Sequence, residues 1–214
     1  MSYVSIYGSK SASYVRSVRL ICEEKGVDYV IERVEIGSDA HYDIHPFGKL
    51  PAFRHGEIKL YESTAIGVYI DETFDGPPLQ PREKMARVHM FQWLSAIGDY
   101  GAQCIIRELA LPRIMAPLQG ETPDEDEISE ALPRVARFLG VANDALAQRT
   151  YLAGADISLA DLVLVPMIAT MLQTPEGREI LPRFSGVKNW FDTMAARPSF
   201  AAAHPPPRSQ VEAA

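Results

Sequence analysis

The chain has 214 residues, 47% of them apolar, and carries a net charge of −7 from 21 basic and 28 acidic side chains. That length suits one large domain or two small ones, and that composition supplies an ordinary globular core. No stretch is dense in Lys and Arg, which argues against a nucleic-acid partner, since a phosphate backbone requires a basic face.

The first 75 residues alternate between a period of two and a period of three to four. "YVSIY" (3–7) predicts a strand with Val4 and Ile6 on one face. Val15, Val18 and Cys22 then recur at helical spacing over Ser13 to Lys25, and Gly26 is placed to stop that helix. "YVIERVEI" (29–36) predicts a second strand, and the residues after it read as a loop. "LPAFR" and "EIKLY" flank His55-Gly56 and predict a hairpin, because Gly accepts the positive φ of a tight turn. Ala65, Ile66, Tyr69, Ile70 and Phe74 mark a further helix, so the order is β-α-β, loop, β-β-α.

"DGPPLQPRE" (75–83) is broken by Pro and Gly and reads as a linker. Beyond it the patterning is helical: through "KMARVHMFQWLSAIGDYGAQCIIREL", through "ISEALPRVARFLGVANDALAQ", and from Ser158 onward. The acidic run 121–127 fits a solvated helix start. Ser158 and Asp161 form an S-x-x-D helix opening, with Ile157 and Leu162 as a hydrophobic staple; Ser158→Ala is expected to cost about 1 kcal/mol or more. The expected division is an α/β domain over 1–76, a linker over 77–83, an all-helical domain over 84–200 and a mobile tail over 201–214. Cys22 and Cys104 lack metal-type spacing, so neither a disulfide framework nor a metal site is expected. No leader pattern opens the sequence, and the longest apolar run, 162–172, is about half a membrane span, so a cytoplasmic protein without a membrane partner is expected.

The most specific stretch is His45-Pro46-Phe47-Gly48-Lys49-Leu50-Pro51-Ala52, followed by Glu62-Ser63 at the start of a helix. With the domain order, these residues resemble the glutathione S-transferase family, whose N-P-x-G-x-(V/L)-P-A pattern they follow except that His45 replaces Asn. The resemblance spans roughly residues 3 to 200. It implies a thioredoxin-like N-terminal domain, an all-α C-terminal domain, glutathione as co-substrate and a homodimer. It also implies a cis Pro51 that turns the edge of strand 3 outward, so that Leu50 can pair with an extended peptide. Ser63 offers a hydroxyl and helix-terminal N–H groups to a carboxylate, Glu62 offers charge to an ammonium, and Lys49 can steer the glycyl carboxylate. The γ-glutamyl end of glutathione presents such a carboxylate and amine on one carbon.

Serine-type members, similar to the phi, theta and zeta branches, place a hydroxyl six residues before the position of Val18 to lower the thiol pKa. That position is Ala12 here, and the neighbouring hydroxyls are Ser11 and Ser13. Three readings stay open: Ser13 or Ser11 reaches the thiol, Tyr7 replaces them, or glutathione is bound without strong activation. Ser13 leads because it reads as the N-cap of the first helix. The turn has no cysteine, and Cys22 and Cys104 read as core, which disfavours disulfide exchange. The second substrate is expected between the domains, with Tyr14, Ile105, Ile106, Leu109 and Met115 as candidate apolar contacts. The implied reaction adds the glutathione thiolate to a small apolar electrophile. The alternatives are a non-catalytic glutathione-binding protein and a glutathione-dependent ether-cleaving or dehalogenating enzyme.

Overall fold

A computed structural model describes residues 3–204. The chain divides into two compact units: residues up to Pro77 together with the segment from Ala196 onward, and Pro78–Ala195.

The first unit begins β1 (Val4–Tyr7), α1 (Ser13–Lys25), β2 (Tyr29–Glu32), α2 (Asp39–Ile44), β3 (Ala52–His55), β4 (Ile58–Tyr61) and α3 (Ser63–Thr73). The strands form a mixed sheet in the order β2-β1-β3-β4, parallel between β1 and β2 and antiparallel elsewhere. Val4 and Ile6 are buried, as the alternation of "YVSIY" predicts, and so are Val15, Val18 and Cys22 of α1. Gly26 ends α1 in the left-handed region at φ 67°, where its lack of a Cβ costs nothing. β2 is shorter than expected. β1 offers four residues, matched from Val4↔Tyr29 to Tyr7↔Glu32, so residues 33–36 have no strand opposite them. The expected loop before β3 contains α2, opened by Ser38, whose Oγ accepts the His41 N–H at 3.2 Å. At the far end of α1, buried Lys25 donates to Asp71 Oδ1 (3.0 Å) and to the Pro77 carbonyl (3.2 Å). One cation thereby ties α1 to α3 and to the start of the linker.

The second unit comprises α4 (Lys84–Ala96), a π-helical segment (Ile97–Ala110), α5 (Leu111–Leu118), α6 (Glu125–Leu146), α7 (Leu159–Met171), α8 (Pro175–Ile180), a 3₁₀ turn (Leu181–Arg183) and α9 (Ser185–Ala195). The acidic run does start a helix: Asp124 Oδ1 accepts the N–H groups of Asp126 and Glu127 at the head of α6. Every residue of α7 is buried, so this helix is apolar all round and forms the centre of its unit. Asp161, wholly buried in its first turn, accepts four hydrogen bonds. Leu152 N–H and Trp190 Nε1–H reach Oδ1, both at 2.9 Å; Ser158 N–H (2.9 Å) and its hydroxyl (2.8 Å) reach Oδ2. Burial raises the Asp161 carboxyl above its ordinary value, opposed by these donors.

The last helix, α10 (Pro198–Ala203), belongs to the first unit and packs on α1. Glu24 accepts two bonds from the Arg197 guanidinium, each 2.7 Å, and one from the Ser199 hydroxyl. Arg19 donates to the carbonyls of Ala202 and Ala203, both at 2.8 Å, so a cation caps the negative end of α10. Arg16 meets His204 Nδ1, and its own pKa is pushed down to about 10 by burial and then by Arg19. This corrects the expected boundary at 200. Residues 196–203 return to the α/β unit because α1 carries their ionic and hydrogen-bonding partners. The expected tail is helical through Ala203, and residues 205–214 lie outside the described residues.

Candidate active site

The sheet register explains why residues far apart in sequence converge. Tyr7 stands opposite both Glu32 and Ala52, and Ala52 opposite Tyr61, so these four form one row across the sheet. At that row the chain leaves β1, β2 and β4 and enters β3. The β1–α1 turn, the 33–51 segment and the Glu62-Ser63 pair therefore all emerge at one end of the sheet.

The turn is tight. Gly8 has φ 145°, and a Cβ there would lie 2.6 Å from Val15 Cγ2 and 3.5 Å from Leu50, so the turn borders Leu50 and admits only glycine. The N-cap of α1 is Ala12, in the extended region at φ −66° and ψ 129°, and no side chain caps the helix. Ser13 is instead the first helical residue and is buried. This corrects the reading of Ser13 as N-cap: backbone conformation, not the presence of a hydroxyl, decides which residue caps. Ser11 is exposed, and its Oγ shares a hydrogen bond with Ser9 Oγ at 2.9 Å. Tyr7 is half-buried at the end of β1.

In the second segment His45 Nδ1 accepts the Phe47 N–H at 3.3 Å, the turn-forming bond to residue i+2 that an Asn side chain makes. The departure from the family pattern thus keeps the interaction. Burial holds the His45 imidazole below its ordinary value, with Glu62 acting in the opposite sense. Gly48 follows at φ 60°, where a Cβ would come within 2.9 Å of the Tyr42 ring. The Leu50–Pro51 peptide bond is cis, as the resemblance implies. Pro51 is buried, Leu50 half-buried and Lys49 exposed. One expectation changes: β3 is an interior strand, between β1 and β4, so Leu50 does not lie on a sheet edge. It precedes the first paired residue, Ala52, and its backbone polar groups lie beyond the ladder.

In the third segment Glu62 is exposed at φ 67° and ψ 116°, the single non-glycine residue with positive φ among the described residues. A side chain held in so sparsely populated a region marks a constrained position. Ser63, the first residue of α3, is buried, and α3 also lacks a side-chain cap.

The remaining candidates divide. Tyr14 and Ile106 are half-buried and Met115 is exposed. Ile105 and Leu109 are wholly buried, with no surface for a ligand, because the π-helical segment turns them into the core of the second unit. Both cysteines are core residues; burial pushes the Cys22 thiol up to about 12 and the Cys104 thiol to about 11, so neither is a thiolate at neutral pH. No cluster of His, Cys, Asp and Glu among the described residues has metal-binding geometry, and no helix among them is long and apolar enough to cross a membrane. Sequence reasoning missed His41, which is wholly buried within the second segment. Its available signal was the i, i+4 pair His41 and His45, hidden because α2 was not anticipated.

The first unit is thioredoxin-like, with a four-stranded mixed sheet and a cis-proline segment at the strand ends, and the second is all-helical. Residues 6–78 match the family model described as "Glutathione S-transferase, N-terminal domain", and residues 94–198 match "Glutathione S-transferase, C-terminal domain". "Glutathione S-transferase 3" of Zea mays is 30% identical, over 98% of this chain and 99% of that protein. The solved structure of glutathione S-transferase III in apo form superposes with a TM-score of 0.87 at 28% identity, covering 96% of this chain and 100% of that one. Glutathione S-transferase I from maize, in complex with an atrazine glutathione conjugate, gives 0.85 at 25% identity, covering 94% and 96%. The chain belongs to the glutathione S-transferase family.

Proposed function

We propose that this protein joins the thiolate of glutathione to small apolar electrophiles. The observation that carries the reading is the convergence, at one end of the sheet, of the Ala12 turn, Leu50 and the Glu62-Ser63 pair. Each offers what one part of the tripeptide needs. Ser63 and the start of α3 receive the γ-glutamyl carboxylate, and Glu62 its ammonium. The backbone of Leu50 pairs with the cysteinyl backbone, and Lys49 attracts the glycyl carboxylate. The thiol then lies against the uncapped start of α1, where an anion is favoured. Ser11 is the hydroxyl best exposed to donate to it, ahead of buried Ser13 and of Tyr7. Attack on the electrophile needs the thiolate, its positioning and no metal. We place the enzyme in the cytoplasm as a homodimer, as the resemblance implies.

Ala12 favours a second reading, a protein that binds glutathione and leaves its thiol largely protonated. Calorimetric titration with glutathione, combined with ultraviolet thiolate absorbance of the complex as pH rises, separates the two. Binding with a depressed thiol pKa supports the transferase, binding with an ordinary pKa supports the second reading, and the absence of binding heat defeats both.

A further inference from the structure

At the end of the sheet where the three segments emerge, the wholly buried His41 side chain reaches the backbone just before the cis-proline bond. His41 lies on α2, fixed at both ends: its N–H reaches Ser38 Oγ, and its carbonyl accepts the His45 N–H at 2.9 Å. Its ring joins two further segments. Nδ1 lies 3.2 Å from the Gly37 N–H, and Nε2 lies 2.9 Å from the Lys49 carbonyl oxygen. The Gly37 N–H can only donate, so Nδ1 is the acceptor and the ring proton is on Nε2. The Lys49 carbonyl can only accept, so the proton on Nε2 satisfies it. One neutral tautomer meets both demands, and the backbone N–H of Gly37 selects it.

We propose that His41 is a positioning residue for glutathione, holding the Lys49 carbonyl so that the backbone of Leu50 keeps its outward pose. The inference rests on the reading of residues 49–51 as the peptide-binding segment. Lys49 C=O and Leu50 N–H belong to one planar peptide unit, so fixing the carbonyl fixes the direction of the amide that follows. The buried ring meets no solvent, so water cannot readily replace the bond if the side chain is removed. His41 itself touches no reacting atom, so its loss acts on glutathione affinity and spares the chemical step.

The test compares His41→Leu, His41→Gln and His41→Asn in the full chain. Gln carries a terminal amide long enough to approach the Lys49 carbonyl, whereas Asn is one methylene shorter. Steady-state kinetics with a chlorodinitrobenzene electrophile gives kcat and both KM values, and calorimetry gives the glutathione Kd. Expected for His41→Leu is a rise of about tenfold in KM and Kd for glutathione, the factor one buried hydrogen bond commands. kcat and the electrophile's KM should stay within about twofold, with partial recovery in the Gln variant. Should the Leu variant not fold, the Asn variant must show the larger KM of the remaining two. Hydrogen exchange over residues 45–52 in the ligand-free protein reads the tether without glutathione, and should accelerate in Leu and Asn but less in Gln. Accelerated exchange with no glutathione binding by the unmodified protein leaves the tether standing and removes the glutathione reading. Unchanged exchange and unchanged KM in a folded Leu or Asn variant overturn the proposal, as does a fall in kcat matched by an equal change in both KM values.

Discussion

Ala12→Ser puts the reading of the turn to its hardest test. Ala12 is already the N-cap of α1, in the extended conformation from which a serine oxygen accepts a first-turn N–H. A hydroxyl there is worth about 1 kcal/mol, which raises Tm by roughly 2–4 °C in a protein of this size. The same oxygen can donate its proton outward to a bound thiol. A free thiol with pKa near 8.5 is about 3% ionised at pH 7; a drop of one unit gives about 24%, roughly an eightfold gain in thiolate. The assay is a pH titration of thiolate absorbance with glutathione bound, beside the pH-rate profile and a thermal melt. A rise in Tm with a lowered thiol pKa and a faster rate at pH 7 identifies position 12 as the missing activating hydroxyl. A rise in Tm with no movement of the thiol pKa would refute the placement of the thiol at the start of α1, since capping would then occur without any anion nearby.

The binding half of the site is addressed by Glu62→Ala and Ser63→Ala, which are expected to weaken glutathione binding by about 1–3 kcal/mol in calorimetry, with little change in Tm. Asp161→Ala strands four buried donors and is expected to cost about 4 kcal/mol, lowering Tm by roughly 10 °C in a melt followed by tryptophan fluorescence; a shift under about 2 °C would contradict the hub. Glu24 has a pH signature: burial alone would raise its carboxyl, but the bonds from Arg197 and Ser199 prevail and hold it below its ordinary value. A depressed folded pKa means stability that is present above the unfolded value, near 4.3, and is lost as pH falls through the folded value. The protection of α10 amides against hydrogen exchange, taken relative to the intrinsic rate at each pH, should therefore fall below about pH 4, and Glu24→Gln should flatten that dependence.

Much of the α/β unit was legible because periodicity and punctuation agree there. Val15, Val18, Cys22 and Gly26 gave α1 its observed limits, and His55-Gly56 located the hairpin. Where the reading failed, the missing information was not local. The end of β2 depends on the length of its neighbour β1, which the sequence of β2 does not contain. α2 buries a single side chain, so it shows no amphipathic period, and with it His41 passed unnoticed. The N-cap of α1 is set by the conformation of Ala12, against the side-chain preference that favoured Ser13. Within the helical unit, spacing could not tell Ile105 and Leu109, which face the core, from Met115, which is exposed.

The return of α10 to α1 also bears on how the protein is made. Glu24 and Arg197 lie 173 positions apart in the chain, and every residue between them leaves the ribosome before the clasp can close. At roughly 5–20 residues per second, α1 is complete for about ten to thirty-five seconds before Arg197 exists. Throughout that interval Glu24 lacks the Arg197 and Ser199 donors of the finished fold, on a nascent unit whose sheet can already have formed. The α/β unit is thus finished last although it is synthesised first. A chain cut between the end of α3 and Ala196 retains every strand of the sheet yet lacks the clasp, and offers the uncovered face of α1 to proteases and chaperones.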